Sequence, residues 1–429
     1  MKRLTINKLG PIESCSIDCS SFMTFTGAQA SGKSTVAKAI YYFRSANEEL
    51  FDLIEKRALS DENFDAVTLT KQFTDHLREK FLRVFGSSWG MDNFMKIKFE
   101  YSETAYISVS LVEDNLFSAP NYVWIDLSPD IKDMMKKYTS YKCTEILGIP
   151  DEEKRKIKSE INRVFQDEEE VVYIPAGRSM LTLLSQQLNY IYTTMKDSQK
   201  RMLDYCTQDY IERILQLKPE FANGLEGVVA YYGEAKDMKT GCIKDALNLA
   251  KEVLKGKYRF SDNEERIVLD NEKYVKVNFA SSGQQEAVWI LNLLFYYLLR
   301  KKPVLFIIEE PESHLFPESQ KYITELISLV KNQGNSVVLT THSPYVLGTL
   351  NNLLFASQIP VSKVENASAI IPNNVWLDPK TTTAWFVKNG GVETCIDEEI
   401  HLIQNERIDE ISKSINEDFD SLFEMIQGE

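Results

Sequence analysis

The stretch Gly27-Ala28-Gln29-Ala30-Ser31-Gly32-Lys33-Ser34-Thr35 carries the spacing G-x-x-x-x-G-K-[ST]. Glycines at both ends of such a loop let the backbone curl so that successive N–H groups converge on one anion. A lysine in the position of Lys33 reaches the β/γ-phosphates of a nucleotide, and a hydroxyl in the position of Ser34 enters the shell of Mg²⁺. The flanks suit the motif. Phe22–Thr26 reads as a short buried strand, and Thr35–Tyr42 as a helix whose N-terminus faces the phosphates. The pattern predicts a nucleoside triphosphate site.

Further stretches carry compatible chemistry. Val304-Leu305-Phe306-Ile307-Ile308 is an apolar run ending in Glu309-Glu310. A central parallel strand with two terminal acids offers one carboxylate, Glu309, to the Mg²⁺ shell and another, Glu310, to orient or deprotonate water. Ser336–Thr341 is a similar strand ending in His342, whose imidazole is placed to donate to a γ-phosphate or else is a structural histidine. Ser281-Ser282-Gly283-Gln284-Gln285 precedes an apolar helix over Ala287–Leu299. Its N-terminus is either a second anion site or a simple capping box. Val171–Ile174 runs into Pro175-Ala176-Gly177-Arg178-Ser179, a loop suited to the carboxyl edge of a parallel sheet or to a surface turn.

The rest of the chain must position these groups. Its 429 residues are 43% hydrophobic and 26% charged, the make-up of a globular protein of two or three domain-equivalents. It holds no apolar run long enough to span a membrane, and Met1–Ile6 lacks the apolar core of a secretory signal, so no membrane partner and a cytoplasmic location are expected. The six cysteines show no C-x-x-C pair, which disfavours a zinc site. A net charge of −14 gives no general attraction to nucleic acid, so any such contact needs a local basic patch.

Met1–Ile6 and Ser14–Asp18 read as a hairpin across Leu9-Gly10-Pro11-Ile12. Residues 46–170 read as an inserted α+β lobe, with strands over Met95–Tyr101, Ala105–Val112 and Tyr122–Leu127 and a charged helix over Asp151–Phe165. Leu181–Ser198, Arg201–Leu217 and Lys244–Leu254 make a helical lobe over about 181–255, too short for a long coiled coil. Three short strands follow, Lys257–Phe260, Arg266–Leu269 and Tyr274–Phe279. Residues 351–429 read as a C-terminal α+β extension, with strands over Val375–Asp378, Ala384–Val387 and Val392–Ile396 and helices over Glu406–Ile415 and Phe419–Ile426. The core is then 1–45 with 171–350.

Taken in order, G-x-x-x-x-G-K-S, S-S-G-Q, apolar-E-E-P-E and T-T-H-S-P resemble the ATP-binding-cassette ATPases of the SMC-like branch. They resemble more closely the OLD-type and stand-alone AAA-domain ATPases, many of them found in anti-phage defence. Tyr173–Ser179 and Lys255–Tyr258 resemble the same subgroup, and the likeness spans about residues 1–350. It implies an α/β P-loop NTPase fold with an ABC-ATPase-like core, a mixed sheet flanked by helices. It implies ATP and Mg²⁺ as ligands, with Gly27, Ala28, Gln29, Ala30, Ser31, Gly32, Lys33, Ser34 and Thr35 as Walker A. Ser34 and Glu309 would hold the metal, Glu310 would be the catalytic acid of the Walker B pair, Glu312–Leu315 the D-loop and His342 the switch histidine.

Ser281, Ser282, Gly283 and Gln284 would form a signature loop that contacts the γ-phosphate on a second subunit, which makes ATP the glue of a homodimer. Arg178 stands where a nucleotide-contacting Q-loop is expected. OLD nucleases add a Toprim domain with a D-x-D after the cassette. After Leu350 only Asp418-Phe419-Asp420 matches, inside an expected terminal helix, so no nuclease is expected. Two functions stay open: an ATPase controlling a separate effector, as in defence or toxin–antitoxin modules, and a DNA-processing ATPase of the recombination type.

Overall fold

The computed structural model describes residues 2–59, 66–114, 119–138, 141, 149–183, 194–195, 204–232, 240–262, 264–271, 273–300, 302–404, 414 and 416–423. The chain opens on the expected hairpin, β1 (Arg3–Leu9) and β2 (Ile12–Asp18), followed by β3 (Phe22–Thr26) and α1 (Lys33–Arg44). The inserted stretch holds α2 (Ala46–Ala58), α3 (Ala66–Phe85), β4 (Lys96–Glu100), β5 (Tyr106–Asp114), β6 (Ala119–Leu127), α4 (Pro129–Lys137) and α5 (Asp151–Phe165). β7 (Glu170–Ile174) and α6 (Arg178–Leu183) return the chain to the core. Helices Tyr205–Leu217, Gly224–Tyr232 and Thr240–Leu254 lead to β8 (Lys257–Ser261), β9 (Glu264–Val268) and β10 (Tyr274–Lys276). The helix Ser282–Leu299, β11 (Val304–Glu309), the helix Pro317–Asn332, β12 (Ser336–Thr341) and the helix Pro344–Ser357 complete the expected core. β13 (Thr382–Lys388) and β14 (Gly391–Thr394) follow.

The fold is α/β. Its central sheet has the order β14-β13-β3-β12-β11-β7, parallel throughout except for the β13–β14 pair. β3 and β11 are buried along their whole length, which is why they read as continuous apolar runs. Side chains alternate between two cores, as the two-residue period of a strand requires. Phe22, Val172, Phe306 and Ile308 join the core built on the Ser282–Leu299 helix. Met23, Phe25, Val171, Leu305 and Ile307 join the core built on α1 and the lobe.

Register then aligns the chemistry. Thr26 lies beside Thr341, Thr340 beside Glu309, and Ile308 beside Ile174. The carboxyl ends of β3, β12, β11 and β7 therefore open on one edge, where ligands of such sheets collect.

Two expected boundaries move. The lobe is not separable at residue 46, because β1 pairs with β4 (Ile6 opposite Ile97) and the order β2-β1-β4-β5-β6 makes one antiparallel sheet. Nor is the core closed at residue 350. β13 runs parallel to β3, with Ala384 opposite Thr24, so part of the expected C-terminal extension belongs to the central sheet. Gly27 seals this joint: its φ is +141°, and an added Cβ would stand 2.3 Å from the Val387 carbonyl oxygen.

Val375–Asp378 is not a strand. The 3₁₀ turn Asn373–Val375 occupies its start, and prolines at 372 and 379 bracket the segment and remove ladder donors. The expected helix over Leu181–Ser198 is described only at Arg178–Leu183 and at residues 194–195. Residues 201–203 and most of Glu406–Ile415 also lie outside the described residues.

The placement of β13 is testable. Ala384 is fully buried, so Ala384→Asp inserts an unpaired carboxylate beside β3. Its expected cost is about 3–5 kcal/mol in the denaturation midpoint at unchanged m-value. A variant as stable as wild type would show that β13 does not sit in the core sheet.

Candidate functional site

At the end of β3 the backbone curls through Gly27 to Gly32, whose φ of +113° and close approach to Ile12 and Pro11 admit no side chain. Ala28, Gln29 and Ala30 are exposed on the loop, and Ser34 is exposed in the first turn of α1. The first N–H groups of that helix have no intrahelical acceptor and face the loop's opening. Lys33 is only 5% exposed. Its ammonium donates to the carbonyls of Gly27 (3.0 Å) and Ala28 (2.8 Å) and lies 3.4 Å from His342 Nδ1. Burial lowers its pKa, and the carboxylates of Glu310, Glu312 and Glu309 pull the other way.

The expected acid and histidine meet at the same place. His342 Nε2 lies 3.0 Å from Glu310 Oε1. An ammonium only donates, so His342 Nδ1 accepts from Lys33, and the ring proton sits on Nε2 and is given to Glu310. That bond is the largest reason why Glu310 is held below its ordinary carboxylate range. Lys33, His342 and Glu310, from the ends of three adjacent strands, thus form one continuous chain of contacts.

Glu310 itself has φ +44°, a left-handed conformation unusual for a side-chain-bearing residue. Its N–H donates to the Thr340 carbonyl (2.9 Å), and Ser313 Oγ lies 3.4 Å from Oε2. Behind it, buried Glu312 accepts from Thr341 Oγ1 (2.7 Å) and from the His342 N–H (2.8 Å), fixing the backbone that carries the imidazole. Burial pushes the Glu312 carboxyl upward.

Glu309 is 5% exposed and accepts from the Ala176 N–H through Oε2 (3.2 Å). Its Oε1 is buried without a well-formed hydrogen bond among the described residues, its nearest polar neighbour being the Tyr173 hydroxyl. A buried carboxylate oxygen so weakly held among acids is a donor that a hard divalent cation takes, usually one or two per Mg²⁺ with phosphate and water completing the shell. That donor chemistry fits Mg²⁺, which Glu309, with the exposed Ser34 hydroxyl, would hold.

Arg178 is placed differently from expectation. It is fully buried under the loop, not in it. Its guanidinium donates to the carbonyls of Pro175 (2.5 Å), Glu309 (2.6 Å), Glu310 (2.9 Å) and Glu286 (3.2 Å) and pairs with the Glu286 carboxylate. Those bonds leave it no reach toward a nucleotide; it positions the strand end instead. Glu286 accepts in turn from the N–H groups of Arg178 and Ser179.

Glu286 is the residue that sequence reasoning missed. The signal was there: a lone acid at the start of an apolar helix needs a buried cation.

Ser281 caps the Ser282–Leu299 helix in a full capping box with Gln284. The Gln284 amide also donates to the Leu254 carbonyl (2.7 Å), so this side chain is turned inward and is no free ligand contact. Ser281 and Ser282 are exposed. Gly283 packs so closely on the His314 carbonyl that an added Cβ would stand 2.6 Å from it.

Compared with known proteins, residues 1–347 match the family model described as AAA ATPase domain. The chain belongs to the AAA ATPase domain family. This AAA ATPase is also 32% identical over 91 residues to the lipoprotein-releasing system ATP-binding protein of Neorickettsia sennetsu. The match covers 21% of the chain and spans 38% of that relative's length. Among solved structures it is similar to the Smc head domain of Pyrococcus furiosus bound to the C-terminal domain of ScpA. The TM-score there is 0.41 at 10% identity, over 97% of this chain and 100% of the other. A dimeric bacterial ABC transporter cassette gives a TM-score of 0.31 at 13% identity, over 92% and 97% of the two chains. Among the described residues no helix is long and apolar enough to cross a membrane.

Arg178→Met should strand the Glu286 carboxylate in the core and cost about 3–5 kcal/mol by chemical denaturation. The double variant Arg178→Met/Glu286→Met should recover much of that loss. Equal losses in the single and double variants would show that the ion pair does not anchor the loop.

Proposed function

We propose that this AAA ATPase hydrolyses Mg·ATP between two copies of itself and that the resulting closure controls a separate effector protein, as in phage defence or toxin–antitoxin-like modules. The observation that carries the catalytic part is the Lys33–His342–Glu310 chain of contacts at the mouth of the phosphate loop. In this reading the loop amides and Lys33 hold the triphosphate. Glu310, kept ionised by the Nε2–H of His342, orients the attacking water and accepts its proton. Glu309 and Ser34 hold Mg²⁺, which supplies charge neutralisation on the phosphates when bound.

The dimer is supported by the exposed helix start. The N–H groups of Ser282 and Gly283 have no intrahelical partner, because the Ser281 cap serves Gln284. Phe279 and Phe316, the latter directly after Leu315, stand about three-quarters exposed in the adjoining segments. Aromatic groups beside an unsatisfied helix start suit an interface that closes on a partner's phosphate.

Glu310→Gln should bind ATP with near wild-type affinity, turn over about 10²–10⁴-fold more slowly and run as a dimer by light scattering in ATP. Lys33→Ala should bind no nucleotide and stay at its nucleotide-free mass. Wild-type turnover by Glu310→Gln would remove Glu310 from the catalytic role. A recombination-type ATPase would run the same cycle, and faster ATP turnover on adding double-stranded DNA to the wild-type chain would favour it over effector control.

A further inference from the structure

Behind the Ser281 helix start lies a cleft that the nucleotide chemistry leaves unused. It opens between the helices Gly224–Tyr232 and Thr240–Leu254 and the beginning of β8, with a volume of about 370 Å³. That is within the size range of small-ligand sites. Lys244, Leu247, Asn248, Lys251 and Leu254 all line it, a spacing of three and four that puts them on one face of the second helix. Buried Leu225, Ala250 and Tyr258 continue the apolar floor beside Leu254. The surrounding backbones are in close contact, which fixes the cleft's shape. A Cβ added to Gly224 would stand 2.6 Å from the Tyr258 carbonyl oxygen, and one added to Gly256 would stand 2.7 Å from Ile267 Cγ2.

Charge sets the sign of the ligand. In a chain of net charge −14, this cleft is lined by three lysines, Lys244, Lys251 and Lys257, against one acid, Glu226. Lys257 pairs with Glu226 (2.7 Å) and Lys251 with Asp270 (2.8 Å). Exposed Lys244 forms no ion pair among the described residues. An unanswered ammonium beside an apolar floor suits an anion with an apolar body.

The cleft meets the helix start through one residue. Leu254 lines the cleft, and its carbonyl accepts from the Gln284 amide (2.7 Å). Gln284 Oε1 in turn accepts from the N–H and the hydroxyl of Ser281, both at 3.1 Å, and Ser281 caps the Ser282–Leu299 helix. We propose that the cleft binds a small organic anion, an apolar body bearing a carboxylate, sulfonate or phosphate, and that the bound ligand holds the Leu254–Gln284–Ser281 contacts in place. Its effect on ATP rests on the proposed dimer: a helix start that is already ordered meets a partner's phosphate at lower entropic cost.

The probe is anilinonaphthalene sulfonate, an aromatic body with one anionic group. Calorimetry is run on the full chain as wild type, Lys244→Glu and Asn248→Trp, both substitutions being at exposed positions of the cleft. Wild type should show one saturable site per chain, weakened at least tenfold by the charge reversal and lost when the indole fills the cleft. Lys244→Glu decides the assignment if circular dichroism shows that Asn248→Trp does not fold. No saturable site in wild type, or a site that either folded variant keeps at wild-type affinity, overturns the cleft. Without nucleotide, the bound probe should also slow amide hydrogen exchange over residues 281–286 of wild type at least threefold. Unchanged exchange there overturns the link to the helix start. In light scattering the probe should lower the ATP concentration at half-dimerisation at least threefold, and a midpoint that does not move overturns the regulation. A chain that stays at its nucleotide-free mass in saturating ATP overturns the dimer reading instead, and the titration and exchange results still decide the cleft.

Discussion

A guanidinium with no access to water dictates how this site is built. Arg178 cannot be buried as an unpaired cation, since desolvation alone would cost several kcal/mol. The fold therefore surrounds it with the Glu286 carboxylate and four backbone carbonyls. Those acceptors come from the loop after β7, the end of β11 and the helix that starts at Ser282. One planar side chain thus fixes three elements relative to each other, which the point charge of a lysine would not do. It also holds the carbonyl of Glu310, whose left-handed backbone costs on the order of 1–3 kcal/mol and persists only where its surroundings over-determine it.

The same clamp links the two halves of the proposed mechanism. Glu286 sits one turn into the helix whose first residues, Ser281 and Ser282, face outward. In the proposed dimer, a partner's phosphate pulling on that helix start acts on a rigid body that includes Glu310. Coupling of this kind needs a contiguous physical path, and here the path is a single ion pair and its carbonyl bonds.

Much of this was legible in the sequence, for a definite reason. The phosphate loop, the apolar strand ending in Glu309-Glu310 and the strand ending at His342 are local patterns, and local patterns are written in consecutive residues. The joins were not legible. Nothing in Thr382–Lys388 says that it pairs with β3, and nothing in Lys96–Glu100 says that it pairs with β1. Strand partners distant in sequence leave no mark in either strand alone. Arg178 stands in the expected loop, but its partner is the buried Glu286 carboxylate and not a ligand. A Pro/Gly turn at a sheet edge looks the same whether its arginine faces a ligand or the core, and only Glu286, far along the chain, decides it.

The electrostatics explain why the loop lysine is so confined. Glu309, Glu310 and Glu312 stand close enough to Lys33 to raise its proton affinity against the effect of burial. A triphosphate brought to three carboxylates is repelled unless cations answer it. Lys33 is one such cation, and in the proposed site a divalent ion held by Glu309 would be the other. In the proposed cycle Lys33 must exchange the Gly27 and Ala28 carbonyls and His342 Nδ1 for phosphate oxygens. The Lys33 contact at Nδ1 and the Nε2–H donation to Glu310 polarise the ring in the same sense, so this movement weakens the pull on Glu310 and leaves the His342 bond as its remaining neutral partner. Filling the loop and retuning the acid are then consequences of the same movement of one ammonium group.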